Sequence, residues 1–166
     1  MYILTKKLLG IIQEGGRVIT VTSGGMLTQR LNLDDLQTEK GTFDGTMCYA
    51  QQKRQQVCIT EEWAKIHKHI HFSTTHPGWS DTPAVRSAMP DFYEKMKDKL
   101  RTSEQGSDCI SWLVAIEKDE LGPTGGFYQD RESIAKHLPL AWSKESQEER
   151  TKLIAILDEM FNKTCN

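Results

Sequence analysis

Several features that would assign the 166-residue sequence to a common protein class are absent from it. No apolar run approaches the ~18–20 residues that a bilayer crossing requires, so we expect no membrane span. The net charge of −2 leaves no basic excess, which argues against a nucleic-acid partner. Short basic pairs such as Lys53-Arg54 are expected to lie on a solvated helix face.

The four cysteines lie far apart and form no C-x-x-C pair. This spacing argues against a disulfide framework and against a cysteine-ligated zinc site. The first residues also lack the basic start and the cleavage site of a secretory signal. Together these absences predict a cytoplasmic protein with reduced thiols.

Four clustered histidines, His67, His69, His71 and His76, raise the question of a metal site. The first three alternate, so they could share one face of a strand. A metal centre would need further ligands in a fixed geometry. Exposed histidines at a helix-to-strand junction are the more common case, and we expect no bound metal.

What the sequence does contain is an alternation of strand-like and helix-like segments. β-branched or apolar runs predict strands at 17–22, 70–75 and 126–129. Apolar positions at helical spacing predict helices at 1–12, 45–67, 103–116 and 146–160. The alternation predicts one α/β domain with a mainly parallel sheet. In such sheets ligands bind beyond the carboxyl ends of the strands.

Tyr49 and Lys53 are the most informative pair of residues, because residues four apart share one face of a helix. A free phenol has a pKa of about 10 and is a poor acid or base at neutral pH. A cation ~4 Å away favours the phenolate by about 4 kcal/mol at an effective dielectric of ~20. Such a tyrosine can protonate a carbonyl oxygen or deprotonate an alcohol.

The Y-x-x-x-K spacing alone is a weak signal, since it also fits a lysine lying beside a half-buried tyrosine. The residues around the Tyr49–Lys53 pair strengthen the catalytic interpretation. Ser23 follows the first predicted strand, where its hydroxyl could polarise a substrate oxygen, although a serine beside Gly24-Gly25 also fits an ordinary turn.

Ser23 after a strand, Tyr49 and Lys53 on the next helix, and Pro77-Gly78 after the next strand together resemble the short-chain dehydrogenase/reductase family. The similarity extends from about Tyr2 to the last helix. The long loop before Tyr49 is similar to that of the retinol-dehydrogenase-like members. The resemblance implies a Rossmann-like, mainly parallel three-layer α/β sandwich. It also implies an enzyme that interconverts an alcohol and a carbonyl with NAD or NADP.

The resemblance further implies a role for each matching residue. Ser23 would polarise the carbonyl, Tyr49 would be the acid/base, and Lys53 would assist Tyr49 and bind the nicotinamide ribose. Pro77 and Gly78 would line the nicotinamide. The residues expected to touch the cofactor would therefore be Tyr49, Lys53, Pro77, Gly78 and Thr82, the last at the carboxamide or the phosphates.

Residues 79–101 contain two prolines and several large apolar side chains. By the same resemblance they would form a helical lid, broken by the prolines, over a small and hydrophobic alcohol or carbonyl substrate. The apolar side chains of this lid are Trp79, Val85, Met89, Phe92 and Tyr93.

The sequence also departs from the family pattern. It contains no G-x-x-x-G-x-G turn to seat a pyrophosphate, no N-N-A-G strand and no matching catalytic asparagine. We therefore expect residues 1–166 to be the C-terminal half of one such domain, with the glycine-rich N-terminal half missing and the cofactor site incomplete. A truncated, non-catalytic product that binds no cofactor on its own remains an alternative. The full-length parent could form a homo-oligomer.

Overall fold

A four-stranded sheet organises the fold in the computed structural model, which describes residues 1–165. The strands are β1 Arg17–Val21, β2 His71–Thr75, β3 Gly126–Gln129 and β4 Glu132–Ser133. They lie side by side in the order β1-β2-β3-β4. The first three are parallel, and β4 runs antiparallel to β3. The predicted parallel sheet is thus confirmed, although β1 ends one residue early and β2 begins one residue late.

Helices connect and cover these strands. Their bounds are α1 Tyr2–Leu8, α2 Gly45–Ile66, α3 Pro83–Ala88, α4 Pro90–Met96, α5 Ser103–Ala115 and α6 Gln147–Cys165. Short 3₁₀ turns lie between some of them, including one at Gly24–Thr28 directly after β1. The predicted first helix extends over 1–12 only as α1 followed by a 3₁₀ turn at Leu9–Ile11.

The long helix α2 crosses over from β1 to β2. It begins at Asp44, whose carboxylate accepts hydrogen bonds from the backbone amides of Thr46 and Met47 at 2.9 and 3.1 Å. Three apolar residues of α2 recur every seven positions, and these, Ala50, Val57 and Ala64, are all buried together with Trp63.

The sheet is the middle of three layers. Successive strand residues point to opposite faces, and β1 shows both: Val18 packs with Trp63 and Phe72 under α2 and α6, whereas Ile19 packs with Leu113 of α5. The helix α6 begins with a capping box. In it the Ser146 amide donates to Glu149 at 2.7 Å, and the Glu149 amide donates to the Ser146 hydroxyl at 3.1 Å. This is a mixed α/β fold of partial Rossmann-like form.

The histidine arrangement differs from the suggested one. His67 terminates α2 and only His71 lies in β2, so the first three histidines do not share a strand face. Within residues 1–165 no group of three or more histidine, cysteine, aspartate or glutamate side chains is placed to hold a metal ion. No helix in the same range is both long and apolar enough to cross a membrane.

Candidate active site

The loops that follow β1 and β2 start side by side at the carboxyl ends of the strands. The Thr22 amide donates to the Thr75 carbonyl at 2.8 Å, which keeps the two strands together up to the point where they end. Gly24 then passes so close to His76 that an added Cβ would lie 2.9 Å from its Nε2. Polar side chains from both loops therefore meet at the edge where α/β proteins bind ligands.

Lys53 is fixed to the end of β1 at two points. Its ammonium donates to the Val21 carbonyl at 3.0 Å, and its own carbonyl accepts the Thr22 hydroxyl at 3.0 Å. Partial burial lowers the pKa of Lys53 because the charged ammonium loses water. The side chain thus projects toward the strand ends and not into open solvent.

Tyr49 lies one helical turn before Lys53, and the ammonium of Lys53 is 5.4 Å from the centre of the tyrosine ring. The two side chains therefore share one side of α2, as their spacing suggests. Tyr49 is 51% exposed, so the ring is open to a ligand from solvent. Water around the phenol also weakens the electrostatic effect of the lysine.

Ser23 begins the 3₁₀ turn after β1, and its hydroxyl accepts the Gly25 amide at 3.4 Å. Gly25 brings this turn against α2: an added Cβ there would lie 3.7 Å from the Cβ of Ala50 and 3.9 Å from the Ser23 hydroxyl. Ser23 thus lies near the helical turn that carries Tyr49.

The loop after β2 is dominated by an ion pair that the sequence did not reveal. Arg101 forms a bidentate pair with Asp130, with N–O distances of 2.5 and 2.8 Å, and donates to the Pro77 carbonyl at 3.3 Å. Gly78 has φ +75°, and a Cβ there would lie 2.7 Å from the Arg101 Nε. The guanidinium therefore already fills the side-chain space over Gly78. Burial first, and then the Arg101 charge, lower the pKa of His76 beside it.

Thr82 begins α3, and its hydroxyl accepts the Val85 amide at 3.3 Å. The segment 79–101 contains the two helices, α3 and α4, that its prolines suggested, and neither has a buried residue. Backbone bonds of 2.8 Å from Arg101 to Trp79 and from Asp81 to Arg101 tie the two ends of the segment together. Trp79 packs against Phe92 with 4.5 Å between ring centres and an angle of 43° between the ring planes. The remaining apolar side chains, Val85, Met89 and Tyr93, are partly exposed.

The expectation that Arg54 lies on a solvated helix face is wrong. Its side chain is fully buried, and so is that of Glu145, with which it pairs. A buried carboxylate offsets the cost of burying the guanidinium, which is why this position departs from the usual exposed arginine. The helical spacing could have indicated that Arg54 is buried. Arg54 lies four residues after Ala50 and three before Val57, and both of these residues are on the buried face of α2.

The described residues fit one end of a nicotinamide dinucleotide better than the other. At the carboxyl end of β2, the Thr75 hydroxyl and the His76 Nδ1 are buried without a hydrogen-bond partner, which leaves polar groups that a ligand can satisfy. The phosphates fit less well. In the described part of the chain the turn after β1 leads into a 3₁₀ turn, and β2 leads to the six-residue α3, so neither strand is followed directly by a long helix whose amino end could seat a pyrophosphate.

Known proteins resemble this chain in sequence and in fold. No family model matches the sequence. Over 162 residues, or 96% of the chain, it is 51% identical to human dehydrogenase/reductase SDR family member 12 and 50% identical to the bovine protein of that name. The chain spans about half the length of these curated relatives, 51% in each case.

A crystal structure of an uncharacterized protein from Mycobacterium paratuberculosis shares the fold with a TM-score of 0.58 at 18% identity. The match covers 89% of this chain and 51% of that protein. The fold, the placement of Ser23, Tyr49 and Lys53, and half-identical sequences along nearly the whole chain lead to one conclusion: the chain belongs to the short-chain dehydrogenase/reductase (SDR) family.

Proposed function

We propose that this chain carries the proton-transfer end of an oxidoreductase that interconverts an alcohol and a carbonyl with NAD or NADP. The observation that carries the proposal is the arrangement of Tyr49 and Lys53 on one side of α2, with Lys53 anchored at the end of β1 directly before Ser23. An oxidoreductase role for the family agrees with the names of its relatives.

In the reductive direction Tyr49 gives its phenolic proton to the substrate oxygen as the carbonyl becomes an alcohol. Lys53 stabilises the phenolate that remains, since an adjacent cation favours the charged form. Ser23 donates a hydrogen bond to the same oxygen and so stabilises the negative charge that develops there. In the oxidative direction the proton returns from the alcohol to Tyr49.

A bound nicotinamide dinucleotide supplies or accepts the hydride. Lys53 is proposed to bind its ribose with Tyr49 beside it, and Pro77, Gly78 and Thr82 are proposed to lie along the nicotinamide end. Because Arg101 occupies the space over Gly78, we propose that the backbone of this loop, and not a side-chain pocket, meets the ring. Which of the two cofactors is used depends on residues that the described chain does not provide.

Residues 79–101 are proposed to cover the substrate. Trp79 and Phe92 form an aromatic pair at the open side of the segment, and Trp79 is half exposed, which suits contact with an apolar alcohol or carbonyl. Backbone hydrogen bonds tie the two ends of the segment together, and we propose that α3 and α4 therefore act as one unit over the substrate.

The test uses residues 1–166 joined to the part of the human relative that the match does not cover, assayed with apolar aldehydes and ketones and with NADH or NADPH. We expect Tyr49→Phe to lower kcat by about 10² or more, the usual size of general acid catalysis. It should leave the cofactor Kd within about twofold, because the phenol acts on the reacting oxygen. We expect Lys53→Ala to lower kcat and to weaken cofactor binding together.

Tyr128→Phe is the matched control, since it removes a hydroxyl that lies beside Gly122, outside the candidate site, and has no hydrogen-bond partner among the residues that the structure describes, so it should keep kcat unchanged. Activity of Tyr49→Phe equal to that of the unmodified protein would overturn the mechanism. The second candidate is a non-catalytic protein, favoured by the lack of a glycine-rich phosphate turn in the sequence. It predicts no turnover by the 166 residues alone.

A further inference from the structure

A buried hydrogen-bond network lies directly behind the candidate site. Arg54 follows Lys53 on α2, and its guanidinium pairs with the buried Glu145. It also donates to the Lys136 carbonyl at 2.7 Å and lies 3.3 Å from the Met26 sulfur. Nothing in the proton transfer proposed for Tyr49 uses this arginine.

From Arg54 the network continues through His137 and Ser143 to the turn that follows Ser23. The Arg54 Nη2 lies 2.9 Å from Nε2 and 3.3 Å from Nδ1 of His137, so the guanidinium lies against the imidazole ring beside both nitrogens. Nδ1 of His137 also lies 3.0 Å from the Ser143 hydroxyl. The Ser143 hydroxyl in turn donates to the Leu27 carbonyl at 3.1 Å. Leu27 belongs to the 3₁₀ turn at Gly24–Thr28.

Both ends of this chain of bonds require the same form of His137. Arginine can only donate, so one of the ring nitrogens beside its Nη2 must accept and carry no proton. The single hydroxyl proton of Ser143 is used on the Leu27 carbonyl, so Nδ1 of His137 must donate to the Ser143 oxygen. A neutral imidazole protonated at Nδ1 meets both conditions, whereas a charged imidazolium would present a second donor to Arg54.

We propose that His137 is a pH-dependent positioning residue: as a neutral imidazole it holds the Ser23 turn against the helix of Tyr49 and Lys53, and its protonation releases that turn. The functional part of this inference rests on the proposed catalytic role of Ser23. The structural part stands on the hydrogen bonds alone and can be tested without turnover.

The charges that face His137 come from several elements. Arg54 and Glu61 lie on α2, Arg150 lies on α6, and Glu145 precedes α6, with its Oε2 3.9 Å from Nε2 of His137. Glu145 is already neutralised by Arg54, and Glu61 is paired with Arg150 and Lys136. Burial first, and then the Arg54 charge, lower the pKa of His137.

The lowered pKa of His137 determines how the stability of the turn depends on pH. Because the folded protein binds this proton less readily than the unfolded chain, the stabilisation is complete above the ordinary histidine pKa of ~6.5. It is lost as the pH falls through the lower folded value. The turn should therefore be held at neutral pH and loosen as the pH falls below the ordinary histidine range.

Amide hydrogen exchange of the 166-residue protein, followed by NMR between pH 8 and pH 5 and corrected for intrinsic rates, tests the proposal. The reporter is the Met26 amide, which donates to the Ser23 carbonyl within the turn at 3.1 Å. We expect its protection factor to fall at least about tenfold, the size expected for one hydrogen bond to a charged group. The strand-end amides of Thr22 and His71 should keep theirs.

His137→Gln is the decisive variant, because its amide can accept from Arg54 and donate to Ser143 without titrating. Its Met26 protection should stay high at both pH values, whereas His137→Ala should be unprotected at both. His69→Gln, at an exposed histidine, should behave like the unmodified protein.

A Met26 protection factor that is independent of pH in the unmodified protein would overturn the proposal. An equal fall in His137→Gln would do the same, even if His137→Ala does not fold. Neither readout involves catalysis, so a failure here is distinct from a failure of Tyr49→Phe to lower kcat.

Discussion

Among single residues, Gly78 carries two constraints at once. Its φ of +75° lies in the left-handed region that residues with a Cβ rarely adopt, and Arg101 fills the space where a Cβ would go. The sequence suggested a glycine that lines a cofactor. The structure adds a reason that requires no ligand, because the glycine lets Arg101 close over the loop and reach Asp130.

Gly78→Ala should therefore destabilise the fold by about 1–3 kcal/mol, the usual cost of a strained backbone position. Urea unfolding measures this. Gly10→Ala is the matched control, because Gly10 has open space around its Cβ position and should change stability little.

The same substitution in an Arg101→Ala background separates the two causes. Without the Arg101 side chain the added Cβ loses its steric clash with that side chain, but the backbone strain at φ +75° remains. The loss of unfolding free energy caused by Gly78→Ala should therefore become smaller without vanishing. Equal stability of Gly78→Ala and the unmodified protein would contradict this explanation of the glycine.

Residues of the candidate site could be predicted from the sequence only where a local spacing pattern identified them. Tyr49 and Lys53 follow from a four-residue helical spacing, and the structure places them on one side of α2. Arg101 and Asp130 did not follow, because 29 positions separate them and only the tertiary fold joins them. Arg54 was assigned to the surface because its partner, Glu145, lies 91 residues away.

At the scale of elements, α3 and α4 contrast with α2. Neither short helix has a buried residue, whereas nine residues of α2 are buried. Elements with few buried contacts open locally at low free-energy cost. This suits a segment that is proposed to admit and cover a substrate.

Limited trypsin digestion of the folded protein should therefore cut first after Arg86, Lys95, Lys97 and Lys99. Mass spectrometry of early fragments identifies the sites. Arg54, buried in α2, serves as the internal control and should be cut only under conditions that unfold the whole protein. Early cleavage after Arg54 would contradict the difference in local stability.

The order and type of the main elements were predictable because their patterns are local. The strands predicted at 17–22, 70–75 and 126–129 agree with the structure to within one residue. The 3₁₀ turn at Gly24–Thr28 was not foreseen. It depends on packing of the buried Met26 against Val57 of α2 and Phe127 of β3, which no local pattern records.

At the scale of the whole molecule, the chain contains the proposed proton-transfer residues but no glycine-rich turn of the kind that seats a pyrophosphate. Ser23, Tyr49 and Lys53 lie together at the strand ends, but the described part of the chain places no long helix directly after a glycine-rich strand turn. The chain also spans about half the length of its curated relatives. The central claim is therefore that these 166 residues serve the reacting end of the cofactor and not its phosphates.

Calorimetric titration of the purified 166-residue protein with NADH and with NADPH tests that claim most directly. The account predicts no binding of either cofactor at micromolar concentrations and a thermal melt that neither cofactor shifts, while the form joined to the rest of the human relative binds. Micromolar binding to the 166 residues alone, with a cooperative melt that rises on addition of cofactor, would contradict it.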